Sequence, residues 1–398
     1  MATPTGTEQE LKPLPEQRGD DDRAVRRMLR WLLAILVLGA LGLVGLLVWL
    51  LRPEPGPAAT GQPGGYPIEV VTTIYGFGEA PEELIRTPLG VAFDGLGDVW
   101  VSNSGQARVE TYTSDGEFIR IVGDEEGPGQ LLAPYGIAID QERARVYVAD
   151  FAAGMVQIFT TEGSYVGHLP SDEQDLAVFG PDGFSPYDVQ IYGGRVVVSS
   201  NDGLYFFDLE GHVVDRWGGE ARKGTVARGS GWGELNFPDA FTIDRETGTI
   251  YVADTMNRRV VAIDVNGDWT WVSGRSDENG QIRSFWQLPR GIALGPDGNL
   301  YVVDTFRPDA EGMGTGHLVV LSKDGELLSE FGRTGSDDGA FRFPEHIAKG
   351  PDDLWALADR ENGRIVVFRL LTPYPQVDDL LARRYPKGFA NQEPQPVG

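Results

Sequence analysis

One phrase recurs six times along the 398 residues. It runs proline, two residues, apolar-x-apolar, a polar turn, a β-rich run usually ending on an acid, a second β-rich run and an acid-Gly turn. Its prolines are Pro88, Pro134, Pro186, Pro238, Pro289 and Pro344, spaced 46, 52, 52, 51 and 55 residues apart. A repeat of about 50 residues is the period of propeller blades, not of helical solenoids.

The fifth repeat resolves into four strands. Leu288–Leu294 is a short apolar strand, and Pro296-Asp297-Gly298-Asn299 a turn in which Pro presets φ and Gly tolerates φ > 0. Leu300–Asp304 and Leu318–Leu321 are the second and third strands, Asp324-Gly325 a hairpin turn, and Glu326–Gly332 the fourth strand. Four antiparallel strands taken six times predict an all-β, six-bladed β-propeller.

The hairpin turn appears only five times, as Asp115-Gly116, Glu162-Gly163, Glu210-Gly211, Asn266-Gly267 and Asp324-Gly325. The sixth repeat stops at Ile365–Leu371, while a spare strand, Ile68–Tyr75, precedes the first proline. Pairing these two closes the ring and removes the sheet edges that an open blade would expose. It also places chain entry and exit on the hairpin-turn face, opposite the face where each inner strand begins.

Outside the repeats, Trp31–Leu51 is 21 residues without a charge. As a helix it spans about 30 Å, the thickness of a bilayer's hydrocarbon core. Arg23, Arg26, Arg27 and Arg30 precede it and Arg52 follows, which keeps the N-terminus cytoplasmic and exports the rest. A cleaved signal peptide is the competing reading, against the length of the run and the lack of an A-x-A site. The expected order is therefore a cytoplasmic tail (1–28), a transmembrane helix (29–51), a Pro/Gly linker (52–67), the propeller (68–371) and a tail (372–398). An amphipathic helix or disorder over Val377–Tyr385 are both open.

Net charge is −25. The first 30 residues balance, so the exported part carries all of it. Such a surface repels phosphate backbones and excludes nucleic acid as a partner. With no cysteine, the domain relies on its core, and thiol nucleophiles and Cys-ligated metals are excluded.

At the second and third strands the chain becomes more specific. Tyr147-Val148-Ala149-Asp150, Tyr251–Val260 and Ala358–Ile365, with Pro134–Asp140 upstream, resemble NHL repeats. The third repeat departs most, with Ser199-Ser200-Asn201 where the acid is expected; the first has Asn103. The resemblance implies a six-bladed propeller that serves as a receptor-like, scaffold or binding module. A minority of similar propellers are enzymes, the peptide-amidating lyase among them, and related hydrolases and lyases hold metal at the channel mouth.

The repeated Asp150, Asp254, Asp304 and Asp359 read as structural, capping a turn or pairing with Arg259 or Arg364. The residues after each proline ring the channel mouth, and there the repeat breaks. Tyr135, Tyr187, Asp188, Asp239, Arg290, Glu345 and His346 are the leading site candidates. Asp188, Asp239, Glu345 and His346 have the donor set for Ca²⁺ or another divalent ion, and an Arg290–Glu345 pair in a water-filled channel is the alternative. Three-His zinc is disfavoured, because of His168, His212, His317 and His346 only the last lies at the channel.

Two irregular stretches lie on the same face: Gly218–Phe237, with Arg222, Lys223, Arg228 and Trp232, and Phe306–Gly316, with Arg307 and Met313. Loops at one rim of a rigid scaffold are where binding residues concentrate. The expectation is a single-pass, extracytoplasmic binding or scaffold module without a resident cofactor, which engages a protein or envelope component. The alternative is a metal-dependent hydrolase or lyase at the channel mouth.

Overall fold

The computed structural model describes residues 67–172, 177–179, 183–218, 221–222, 225–226, 228–273, 286–308 and 314–371. The expected membrane span, the linker up to residue 66, the tail helix and Met313 lie outside the described residues. Among the described residues no helix is long and apolar enough to cross a membrane.

The described chain is a six-bladed β-propeller. Blade one is Pro88–Phe93, Val99–Asn103, Arg108–Tyr112 and Phe118–Val122, hydrogen-bonded in that order. Blades two to five repeat this plan, with inner strands Pro134–Asp140, Asp188–Tyr192, Pro238–Ile243 and Pro289–Leu294. In the last blade, Pro344–Lys349, Leu354–Asp359 and Arg364–Leu370 take Ile68–Ile74 as their outer strand. Ile74 faces Ile365 and Ile68 faces Leu370, the closure expected from the missing sixth turn.

The core lies between blades. Six apolar clusters each join one pair of neighbours, the last joining blades six and one. Each blade is thus buried on both faces, which explains the unbroken apolar runs where a one-sided sheet would alternate. In Leu354–Ala358, Trp355 and Leu357 pack against blade five, while Leu354, Ala356 and Ala358 pack against blade one.

The five hairpin turns share one geometry. Their glycines hold φ of 82–98°. Each is followed by the same register slip, as between Thr111 and Tyr112 or Val320 and Leu321. These are three-residue loops whose left-handed residue makes a bulge, so the glycine is required there.

The repeated acid is structural, pairing with Arg259 or Arg364 in blades four and six and accepting Ala153 N of the following turn in blade two (3.4 Å), and it has a further role. It accepts hydrogen bonds from the incoming loop just before the inner-strand proline. Asp150 receives Leu132 N (3.0 Å) and Ala133 N (2.8 Å), Asp304 receives Leu288 N (2.6 Å), and Asp359 receives Arg342 N (2.6 Å). Asp254 receives Asn236 N (2.8 Å) and pairs with Arg259 Nε (2.6 Å), as Asp359 pairs with Arg364 Nε (2.8 Å). Where the acid is missing the job survives: Asn103 Oδ1 takes Arg86 N and Ser200 Oγ takes Ser185 N.

The described parts of the two insertions include strand pairs. In blade five the second and third strands, Leu300–Pro308 and Gly314–Leu321, run on into the 306–316 insertion and pair out to Pro308 and Gly314. Within Gly218–Phe237, Ala221–Arg222 pairs with Thr225–Val226.

Candidate functional site at the channel mouth

All six inner strands start on one face and pack against one another in a closed ring. Small residues set how tightly they meet. A Cβ on Gly136 would lie 2.7 Å from Asp188 Cα, and one on Gly291 2.7 Å from His346 Cα. The described propeller begins and ends on the other face, where Leu371 N donates to Pro67 O (2.7 Å).

The ring brings the predicted mouth residues together, and side chains from different blades meet. Arg290 of blade five reaches Asp239 Oδ2 of blade four (3.4 Å) and hydrogen-bonds Glu345 Oε2 of blade six. Arg360 Nη1 binds the other oxygen of Glu345 at 2.7 Å. His346 Nε2 lies 3.7 Å from Asp188 Oδ1. These two belong to blades six and three, diametrically opposed, so polar side chains meet across the channel axis. The mouth residues thus form a charged plug, a network of side chains that reaches across the channel axis.

Asp188 is also committed elsewhere. Its Oδ1 accepts Val189 N (2.9 Å) and its Oδ2 accepts Phe241 N (3.2 Å), tying blade three to blade four. With Arg290 between Asp239 and Glu345, the carboxylates predicted as metal donors are occupied by cations and backbone N–H groups. Among the described residues no three His, Asp or Glu side chains are placed to hold a metal ion. The Arg290–Glu345 pair, the alternative expectation, is what the structure contains.

Burial pushes the carboxyls of Asp239 and Glu345 above the usual range, although Arg290 opposes the shift. Burial also works against the charge on Arg290, but Asp239 and Glu345 outweigh it and hold the guanidinium protonated. Burial and then the charge of Asp239 raise Tyr135 and Tyr187. The two phenols therefore feel the charged plug directly.

Aromatic rings flank that plug. Tyr135, Phe151 and Tyr187 form a triangle with centroids 5.4–5.8 Å apart, and Phe237 continues it 6.1 Å from Tyr187. The Arg228 guanidinium sits 4.6 Å above Phe237. Phe306 and Phe343 make a second pair at 5.6 Å. Phe237 and Phe343 have φ of 51° and 48°. That conformation is strained for a bulky side chain and persists only where the surroundings hold it.

Sequence reasoning missed Phe151, Asn201 and Arg360. A signal was present, one residue after the repeat acid. In blades one, four and five that position is Ser104, Thr255 or Thr305, whose hydroxyl donates to the carbonyl oxygen of the next blade's proline. Phe151, Asn201 and Arg360 break this pattern and turn to the mouth instead: Phe151 stacks, Asn201 Oδ1 accepts from Tyr187 Oη (3.2 Å), and Arg360 binds Glu345.

The rim candidates fare unevenly. Arg228 joins the aromatic group. Trp232 packs on Trp269 of blade four's outer strand (5.6 Å) and so lies at the outer edge, away from the mouth. Arg222 and Arg307 fall within described strands, but their side chains lie outside the description, as does Met313.

No family model matches the chain. Its sequence is 29% identical over 154 residues to peptidyl-glycine alpha-amidating monooxygenase A of Xenopus laevis, across 37% of this chain and 16% of that protein. It is 27% identical over 152 residues to peptidylglycine alpha-amidating monooxygenase of Rattus norvegicus, across 36% and 15%. The chain thus spans a small part, 16% or less, of the length of these curated relatives. A structural-genomics protein of unknown function from Bacteroides thetaiotaomicron superimposes with a TM-score of 0.55 at 16% identity, over 76% of this chain and 75% of that one. Virginiamycin B lyase from Staphylococcus aureus gives 0.47 at 14% identity, over 73% and 82%. At 16% identity the likeness to the Bacteroides thetaiotaomicron protein speaks for the fold alone.

Proposed function

We propose that this chain is a membrane-tethered binding module of the NHL type that engages a protein or envelope component through the channel-mouth face. The observation that carries this reading is the convergence of repeat-breaking residues. Blades are built alike wherever they serve the scaffold. They differ where Tyr135, Phe151, Tyr187, Asp239, Arg290 and Arg360 gather at one mouth, away from the hairpin turns. Binding residues on a rigid scaffold follow that distribution. With residues 29–51 as an N-in anchor, the propeller lies outside the cytoplasm. A metal-dependent hydrolase or lyase at the same place, the alternative reading, would require Asp239 and Glu345 to release Arg290.

The test is chemical crosslinking of the full-length protein in its native membrane, with mass spectrometry of the captured neighbours. Wild type is expected to capture a neighbour that Phe151→Ala and Arg360→Ala lose. If both variants retain every neighbour, the choice of face is wrong.

A further inference from the structure

Large apolar side chains are exposed at several places, and most of them stand singly. Leu96 sits on a turn of blade one and Val265 beside a hairpin turn, while Val166 and Val214 lie on outer strands. Scattered residues of this kind are ordinary on a protein surface.

On the mouth face they join instead. Leu132 is 52% exposed, Phe151 36% and Met256 56%. Phe151 N donates to Ala133 O (3.0 Å), which places Phe151 beside Leu132. Ring contacts then run from Phe151 and Tyr135 through Tyr187 to Phe237. Met256 N donates to Asn236 O (3.2 Å), so Met256 extends the surface past Phe237. An apolar band thus crosses blades two, three and four. Its rings are tilted by 38–81° to one another and present no flat plate. Aromatic side chains, Met and Arg, here with Arg228 over Phe237, are the residues enriched in the cores of protein–protein interfaces.

Charge narrows the kind of partner. The plug pairs its own charges, Arg290 with Asp239 and Glu345, and Arg360 with Glu345. The loops on either side of blade one are unbalanced: residues 75–87 and 123–133 hold six acids and one base. Asp124, Glu125 and Glu126 are exposed, in the same loop as Leu132. Leu131 N donates to Gly123 O (2.8 Å), which folds this acidic excursion back against the start of the band. Acidic charge therefore adjoins apolar surface, and the net charge of −25 adds a field of the same sign. A second copy of this chain or an anionic lipid surface is repelled, whereas Lys and Arg are attracted.

We infer that the mouth face docks a protein through a basic segment, with an apolar side chain against Leu132, Phe151 and Tyr187 and Lys or Arg beside Asp124, Glu125 and Glu126. This rests on the binding reading above and gives its partner a chemistry.

The experiment uses full-length protein in detergent and an array of short synthetic peptides in four classes: basic and apolar, acidic and apolar, basic alone, and apolar alone. Fluorescence anisotropy with the tightest peptide follows, at about 0.1 and 1 M salt. Peptides that are both basic and apolar are expected to bind, and more weakly at the higher salt. Phe151→Ala and the loop variant Asp124→Asn/Glu125→Gln/Glu126→Gln should each weaken Kd by about tenfold or more. A hairpin-turn variant, Glu162→Gln/Glu210→Gln/Asp324→Asn, removes as much charge elsewhere and should leave Kd unchanged. The inference is overturned if no class binds, if acidic or uncharged peptides bind as tightly, or if the hairpin-turn variant weakens binding as much as the loop variant. Self-association that Phe151→Ala abolishes would give the band to a second copy and overturn it too. Its failure is separable from that of the binding reading. If Phe151→Ala still loses a crosslinked neighbour while no basic peptide binds, the mouth stands and the partner's chemistry is wrong. If Phe151→Ala alters neither, both readings fall.

Discussion

Replacing Asp254 with Ala tests whether the repeated acid is scaffold. Asp254 is fully buried and accepts from Asn236 N (2.8 Å), Asn257 Nδ2 (2.8 Å) and Arg259 Nε (2.6 Å). Arg259, only 7% exposed at its side chain, donates further to Ser230 O, Gly231 O and Glu234 O. The substitution leaves a buried guanidinium without its counter-charge and strips the incoming loop of an acceptor. Breaking a buried pair from one side costs about 3–5 kcal/mol. The orphaned Asn236 N–H adds about 1–3 kcal/mol where water cannot reach it. A loss of roughly 4–8 kcal/mol is thus expected, a large share of the ~5–15 kcal/mol typical of a folded domain. Equilibrium urea unfolding measures it, and Asp254→Ala/Arg259→Met closes the cycle. The double variant should recover about 1–2 kcal/mol relative to the single, because the uncompensated charge is gone. A single-variant loss below about 1 kcal/mol, within the range of an exposed ion pair, would refute the scaffold assignment.

Other outcomes follow from the same structure. Gly136→Ala places a methyl 2.3 Å from Asp188 Oδ1; a loss of about 1–3 kcal/mol is expected from the overpacking, and unchanged urea stability would show that the inner strands meet less closely. Tyr187→Ala removes a part-buried ring from the aromatic group; it should cost about 1–3 kcal/mol and lose partner capture, and retained capture would take Tyr187 out of the site. Glu345→Gln tests the plug by pH. The folded carboxyl is raised above its ordinary 4.5, so its contribution to stability is fully present below that value and declines as pH rises through the raised one. The advantage of wild type over Glu345→Gln should therefore be larger at pH 4 than at pH 7, and the reverse order would contradict the direction of the shift.

How much could be read from the chain beforehand followed from the range of the interactions involved. The glycine turns and the period rest on local backbone chemistry, so Asp115-Gly116 and its four counterparts were visible as letters. The closure of Ile68–Ile74 on Arg364–Leu370 was visible by counting, since a strand without a turn has to pair somewhere. The mouth residues were legible as breaks in a repeat, but their arrangement was not. His346 meets Asp188 across the channel and Arg290 stands between Asp239 and Glu345, and both contacts depend on how six blades close. Phe151, Asn201 and Arg360 escaped because their position was read as part of the scaffold acid's turn. Its neighbours in blades one, four and five do serve the scaffold, through a hydroxyl bonded to the next proline's carbonyl. Trp232 misled in the other direction, because only the folded chain shows Trp269 beneath it.

The central claim is that function lies at the channel mouth, on the face opposite the hairpin turns. A photo-crosslinking amino acid placed singly at Phe151, Arg360, Asp115 and Glu210 in the full-length protein tests it directly. The first two positions are at the mouth and the last two at hairpin turns. Adducts in the native membrane are predicted from Phe151 and Arg360 and not from Asp115 or Glu210. Adducts from the hairpin turns, with none from the mouth, would contradict the account.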